Sequence, residues 1–546
     1  MVRGPCHPMM DDDLTLSRLL WRTERLFPNT EIVSREADGS RHRYTYADFS
    51  DRVAQLGHVL DEFDIEREDK VGTYAWNTHR HLELYVAGPC HGAVTHTINI
   101  QLRPSYIEYI LNQADDELLF VSPGLVSDIE EIQSEIDVQA YVILTDEEGL
   151  PETSLDPVYA YESLVGRQPT EYEWPDLDEE TECGMCYTSG TTGKPKGVTY
   201  THRAMVLHAF SGCLASSLGI RETDSVMPVV PMYHVNAWGF PHMSLLSGAR
   251  QVLPGPDPTP DDYLQLIDEE GVTFTGGAVT VWSTVLERLQ NGSAYSTDSL
   301  RGLLPGGQAV PRSMIEAYEE EFGVDRVYQA WGMTEATPLA TITTIKDTLQ
   351  EQSRETQYDY KASQGLIQPG LKFRVVDDDG DEIPWNGEEM GEILLRGPWI
   401  TDEYYEEPEK SAETFRDGWF HTGDIVTVDE EGYIHLVDRK KDLVKSGGEW
   451  ISSVELENAL IAHDTVEEAT VVGVDHPKWQ ERPLAAVVRT DNSVTEDELK
   501  RYLNEQEFPD WWVPEAIVFV EGIPKTSTGK YDKKALRDEY ERYLLG

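Results

Sequence analysis

Cys186-Tyr187-Thr188-Ser189-Gly190-Thr191-Thr192-Gly193-Lys194-Pro195-Lys196-Gly197-Val198 is a loop of hydroxyls, glycines and two lysines, entered from a short apolar strand. Such a composition suits phosphate. Glycine tolerates unusual backbone torsions, so successive N–H groups can converge on an anion while hydroxyls and ammonium groups complete the cradle. The stretch is not a Walker A loop, which needs a glycine where Thr188 stands and a Ser or Thr directly after Gly193-Lys194, where Pro195 follows. A plain Ser/Thr/Gly linker would rarely combine two lysines with a preceding apolar strand. The segment therefore reads as an anion cradle at the end of a strand.

Outward from the loop, residues 45–175 mix a helical pattern over 46–63 with apolar strands at 118–121 and 141–144. The same alternation resumes after Thr199, with strand candidates at 251–253 and 272–274 and a helix over 311–322. It predicts parallel sheets covered by helices. From Lys372 the style changes to short strands separated by Asp379-Gly380, Asn386-Gly387, Asp417-Gly418 and Glu431-Gly432, the signature of a smaller antiparallel unit. The charged run Asp438-Arg439-Lys440-Lys441-Asp442 follows, then a stretch with its own βαβ-like pattern and a capping box at Thr495 and Glu498. The expected organisation is a domain over 1–437, a hinge over 438–442 and a C-terminal domain over 443–546.

With 45 Lys plus Arg against 100 Asp plus Glu, the chain of 546 residues carries a formal charge of −55, which argues against a nucleic-acid or anionic-membrane binder. The acids are spread between apolar segments such as Val471-Val472-Gly473-Val474, so the acidity belongs to the surface of a folded protein and not to a disordered tail. Such a surface repels itself unless salt screens it, and at about 1 M salt the Debye length falls to roughly 3 Å. A salt-rich cytoplasm is therefore expected. Five cysteines, an odd number, fit a reducing compartment better than a disulfide framework. Cys183-x-x-Cys186 has metal or redox spacing but no second pair, and on the strand entering the loop it reads as two small apolar side chains. Neither a signal peptide nor a stop-transfer segment is evident, so a soluble cytoplasmic protein without stable membrane insertion is expected.

Five further segments accompany the loop in order. They are Gly306-Gly307-Gln308, Tyr328-Gln329-Ala330-Trp331-Gly332-Met333-Thr334-Glu335, His421-Thr422-Gly423-Asp424, Asp438 to Asp442 with Gly447-Gly448, and Pro524-Lys525-Thr526-Ser527-Thr528-Gly529-Lys530. In these the chain resembles, over almost its whole length, the acyl-activating, adenylate-forming superfamily of acyl-CoA synthetases, peptide-synthetase adenylation domains and beetle luciferases. The resemblance implies an α/β protein: a large N-terminal domain of stacked α/β subdomains plus a small β unit, with a mobile small α+β C-terminal domain. It also implies the reaction, in which a carboxylate and MgATP give an acyl adenylate and pyrophosphate, and a thiol then takes the acyl group and releases AMP.

The same resemblance assigns roles. Attack on the α-phosphate brings two anions together, so charge must be supplied there. Lys530 stands at the family's adenylation lysine, whereas Lys533 and Lys534 read as surface charges. Thr188 and Glu335 are the magnesium-side groups, a hard oxygen pair. Ser189, Gly190, Thr191, Thr192 and Lys196 complete the phosphate loop. Asp424 takes the ribose hydroxyls and Arg439 the ribose or phosphates. Gly306, Gly307, Gln329 and Ala330 lie along the adenine, with Gln308, Trp331, Gly332, Met333 and Thr334 in the same nucleotide-binding segments. Lys441 occupies the hinge, about which the C-terminal domain turns so that the thiol can enter. Gly447 and Gly448 then line the thiol tunnel.

Pro231-Met232-Tyr233-His234-Val235-Asn236-Ala237-Trp238 matches the family's aromatic motif beside the acyl pocket. It lacks the aspartate that amino-acid-activating relatives usually carry, which disfavours an amino-acid substrate. His234 is placed against the carboxylate. Together with the run from Lys445 through Trp450 to Ser453, Val235 and Trp238 look most like the fatty-acyl-CoA synthetases, where an indole at the Trp238 position gates the acyl tunnel. The expected partners are a small-molecule carboxylic acid, ATP, Mg²⁺ and coenzyme A, and fatty-acyl relatives include homodimers. The alternatives are an aryl or short-chain acid ligase on the same scaffold and a catalytically silent nucleotide-binding regulator.

Overall fold

The computed structural model describes residue 10 and residues 12–545, apart from 189–193, 441, 447–448, 491–492, 507, 510 and 526–530. Two mostly parallel sheets dominate the N-terminal domain. One runs Val158–Ala160, Ala140–Ile143, Asp116–Val121, Lys70–Tyr74, Val94–Thr97, Glu182–Tyr187, Gly197–Thr201 across the sheet, and only its last pair is antiparallel. The other runs Gly302–Gly306, Phe274–Ala278, Ser225–Pro228, Arg250–Leu253, Glu31–Arg35, Arg41–Thr45, again with one antiparallel pair at its end. Helices fill the space between the sheets. Tyr46–Glu62 places Tyr46, Phe49, Val53, Leu56 and Leu60 on its buried side, opens with a Thr45/Asp48 capping box, and shares one core with Leu84, Phe120, Phe240 and Phe274.

The sequence reading is met here with small shifts. The helix expected over 311–322 spans Arg312–Glu320. The strand expected at 272–274 starts only at Phe274, because Gly271 ends helix Pro260–Glu270 in the left-handed region (φ +59°) and the Val272 N–H turns back to the Ile267 carbonyl at 3.0 Å.

After Lys372 the antiparallel unit is present. Lys372–Val376, Gly391–Arg396 and Trp419–Val428 lie side by side, and Ile434–Arg439 pairs with Trp419–Val428. The C-terminal domain has its own sheet, in which Val444–Ser446, Gln480–Arg489 and Val466–His476 are neighbours, and its own core around Val444, Leu456, Leu460, Val471 and Leu499. Its βαβ unit is Gln480–Arg489, Glu496–Glu505, Ala516–Phe519, with parallel strands and the Thr495/Glu498 capping box in place. Among the described residues, no helix is long and apolar enough to cross a membrane.

Candidate active site

The loop joins the antiparallel strands Glu182–Tyr187 and Gly197–Thr201, the latter at the sheet edge, so its ends are pinned by the hairpin. Thr188 N–H donates to the Lys196 carbonyl at 2.9 Å, and Lys196 N–H donates to Thr188 Oγ1 at 3.2 Å. Ser189, Gly190, Thr191 and Thr192 lie outside the described residues, as do Lys441, Gly447, Gly448 and Lys530. The side chain of Trp450 is likewise not described.

A cavity of ≈ 550 Å³ gathers most of the remaining sequence candidates: Thr188, Lys196, His234, Val235, Trp238, Gly306, Gly307, the run Ala330 to Glu335, and Arg439. A neighbouring cavity of ≈ 300 Å³ is lined by Gln308, Gln329 and Asp424, and shares Gly307, Ala330, Trp331, Gly332 and Arg439 with the first. Lys445 lines neither; its N–H donates to Glu481 within the C-terminal domain.

In the cavity wall, Glu335 is fixed from two sides. Its carbonyl accepts from Thr401 N–H at 2.9 Å, and Oε1 accepts from the Tyr404 hydroxyl at 2.7 Å. Burial, reinforced by the Glu335 charge, pushes the Tyr404 phenol far up, so it stays a donor. Lys196 Nζ sits 4.1 Å from the centre of the Tyr404 ring, and burial pulls its pKa down. Tyr404, which sequence reasoning missed, thus joins the cavity wall. It sits in the acidic stretch Asp402-Glu403-Tyr404-Tyr405-Glu406-Glu407, which carries no motif.

Asp424, 1% exposed, accepts from Trp331 Nε1 at 2.8 Å and forms an ion pair with Arg439, whose Nε lies 2.7 Å from Oδ1. The sheet explains the pairing, since Asp424 and Arg439 are direct partners in the antiparallel ladder. Asp424 in turn holds the Arg439 guanidinium firmly protonated.

Leu218, Leu304, Leu339, Val235 and Trp238 give the cavity apolar lining. Val235, Asn236, Ala237 and Trp238 all have positive φ, at 42°, 53°, 49° and 53°. Four consecutive L-residues in a left-handed turn cost roughly 1–2 kcal/mol each, and such strain persists where surrounding packing over-determines it. This turn lays the indole over Gly306, where a Cβ would stand 2.7 Å from the ring. Gly332 is required in the same way, a Cβ there meeting the Pro338 carbonyl oxygen at 2.1 Å.

One pair singled out in the sequence and one cluster found only in the structure lie outside the cavity lining. Cys183 and Cys186 are free and buried, and burial raises both thiol pKa values. Glu36, His42 and His79 lie together, but the two imidazoles stack at 4.0 Å with planes 14° apart, so one ion cannot lie in both ring planes.

Comparison with known proteins agrees with this geometry. The family model described as AMP-binding enzyme matches residues 20–405, and that of the AMP-binding enzyme C-terminal domain matches 455–530. A long-chain-fatty-acid–CoA ligase of Thermus thermophilus is 46% identical over 540 residues, covering 98% of each chain. A 3-methylmercaptopropionyl-CoA ligase of Ruegeria lacuscaerulensis is 40% identical, covering 98% of this chain and 99% of its own. Among solved structures, the anthranilate CoA ligase AuaEII in complex with anthranoyl-AMP is similar with a TM-score of 0.87 at 26% identity, over 98% of this chain and 99% of that one. With both domain models matched in order along a mixed α/β chain, the protein belongs to the AMP-binding enzyme family.

Proposed function

We propose that the protein is an AMP-forming fatty-acyl-CoA ligase, which joins a fatty acid to ATP as the acyl adenylate and then passes the acyl group to coenzyme A. The observation that carries this reading is one cavity whose wall combines two chemistries, polar from Thr188, Lys196, Glu335 and Arg439 and apolar from Leu218, Leu304, Leu339 and Trp238. A triphosphate belongs against the first set and an alkyl chain against the second, with the carboxylate near His234.

In this reading Asp424 and Arg439 hold the ribose, and Gly306, Gly307, Gln329 and Ala330 border the adenine. The Thr188 hydroxyl and the Glu335 carboxylate, hard oxygens on the wall of one cavity, fit a Mg²⁺ ion, which would neutralise phosphate charge there. Lys530 supplies the adenylation charge, and residues 438–442 serve as hinge. That assignment is supported by Tyr531, Asp532, Lys533 and Lys534, the residues directly after it, which line the second cavity opposite Gln329 and Asp424. The reading includes a reducing, salt-rich cytoplasm, supported by the free buried thiols and the charge of −55, and a homodimer as the working assembly.

Pyrophosphate release across acids of graded length and aromaticity, in high salt, tests it. Octanoate and palmitate are expected to turn over best. Preference for 3-methylmercaptopropionate, benzoate or acetate would replace the fatty-acid reading, the first by analogy with the 40% identical relative.

A further inference from the structure

The lysine that the sequence reading left on the surface stands at the joint between the domains. Lys533 opens helix Lys533–Tyr540, and its Nζ lies 2.8 Å from Glu457 Oε1 and donates to Ser453 Oγ. Glu457 is anchored by Thr470 Oγ1 at 2.8 Å and Val471 N–H at 2.7 Å, so this half of the cluster belongs wholly to the C-terminal domain.

The other half comes from the end of the strand Ile434–Arg439, where the expected hinge begins. Ser453, first residue of helix Ser453–Ile461, donates from its N–H (3.1 Å) and its hydroxyl to Asp438 Oδ2. Asp438 lies on the strand Ile434–Arg439, opposite Ile425, and the next residue is the Arg439 that pairs with Asp424. Lys533 is thus connected, through Ser453 and Asp438, to the carboxylate assigned to the ribose. One turn along its helix, Arg537 Nη2 meets Asp442 Oδ1 at 3.1 Å. Burial alone would lower the Lys533 pKa, yet Glu457 and Asp438 hold it above the ordinary value, and the ammonium stays charged. The arrangement turns the segment that follows Lys530 toward Gln329 and Asp424.

We propose that Lys533 is a positioning residue for the adenylation half-reaction: with Ser453 it clasps Asp438 and holds the C-terminal domain in the posture that presents the Lys530 segment to the nucleotide. The proposal rests on the reading of Lys530 given above. When the domain turns for thiol transfer, the clasp on Asp438 opens, while the Lys533–Glu457 pair travels intact inside the domain. Loss of the clasp therefore slows the first half-reaction and spares the second.

The test measures both half-reactions on the full chain: acyl-AMP formation from acid and ATP without coenzyme A, and acyl transfer from supplied acyl-AMP to coenzyme A. Lys533→Met is expected to slow acyl-AMP formation by about tenfold and to leave acyl transfer within about twofold. Lys533→Arg restores most of the loss. Asp438→Asn breaks the clasp from the other side and keeps the Lys533–Glu457 pair, so it gives the same asymmetry even if Lys533→Met does not fold. Equal slowing of both half-reactions in Asp438→Asn, or no slowing of the first, overturns the proposal. Lys530→Ala is run in parallel. If it retains acyl-AMP formation, the reading of Lys530 itself has failed; if it loses that step while Asp438→Asn keeps it, only the clasp has failed.

Discussion

The two domains differ in one kind of buried polar group. The N-terminal domain buries uncharged imidazoles as well as paired charges such as Glu83–Arg52 and Asp424–Arg439. His202 Nδ1 accepts from Leu16 N–H at 3.1 Å and His208 Nε2 from Leu339 N–H at 3.3 Å, roles that a protonated ring cannot fill. The C-terminal domain buries full charges and pairs them. Lys533 meets Glu457, and Arg482 donates to the Val513 carbonyl at 3.1 Å, to Ser446 Oγ at 3.2 Å and to Glu515 at 3.1 Å. The difference follows the proposed roles. Neutral imidazoles suit packing that stays fixed, whereas a joint that opens and closes is served by charges whose partners can be exchanged.

The largest expected effect is on stability against pH. Burial pushes the pKa of His81, His202 and His242 down to about 4 and that of His208 to about 3. Unfolded histidine titrates near 6.5, so between about 6.5 and 4 the unfolded chain binds more protons than the folded one. Stability is therefore complete above about pH 6.5 and is lost as pH falls, by about 1 kcal/mol per histidine at pH 5.5. Thermal melts at pH 7.5, 6.5 and 5.5 at constant salt check this, and an unchanged Tm would erase the contrast between the domains.

Next in size is Asp424→Ala, which leaves the Trp331 indole N–H and the Arg439 guanidinium without their shared partner. Both half-reactions should fall by about a hundredfold in kcat/KM, since both bind the adenylate portion. That uniform loss, set against the one-sided loss expected for Lys533→Met, sharpens the distinction between cavity wall and joint. Retained thioester formation from supplied acyl-AMP would blur it. The smallest effect belongs to Gly306→Ala, whose Cβ would stand 2.7 Å from the Trp238 ring. Pushing the indole aside is expected to raise KM for the acid by about fivefold and to change KM for ATP less. The reverse ordering would detach Trp238 from the acyl site.

Much of the fold was legible because its signals are local. The apolar spacing of Tyr46, Phe49, Val53, Leu56 and Leu60 declares a helix by itself, and Thr45/Asp48 and Thr495/Glu498 declare where two helices begin. The antiparallel unit after Lys372 was readable from its Asp-Gly and Asn-Gly turns. Lys533 was misread because a lysine beside Lys534 in a charged helix looks solvated. It shares a helix face with the buried Leu536, three residues on, and meets Ser453 across 80 residues of chain. Nor does anything in the sequence announce the left-handed turn from Val235 to Trp238, since none of those residues favours positive φ and only the surrounding packing imposes it.

By itself the sequence determined the alternation of strands and helices and the order of motifs that names the family. Each depends on neighbours a few residues apart. Only the tertiary structure decided that Tyr404 would hold Glu335 from 69 residues away, that Asp424 and Arg439 would face each other across a ladder, and that Lys533 would reach Asp438 through Ser453. Side chains far apart in sequence meet only where sheet register and core packing bring them together, and a linear pattern carries no record of that distance.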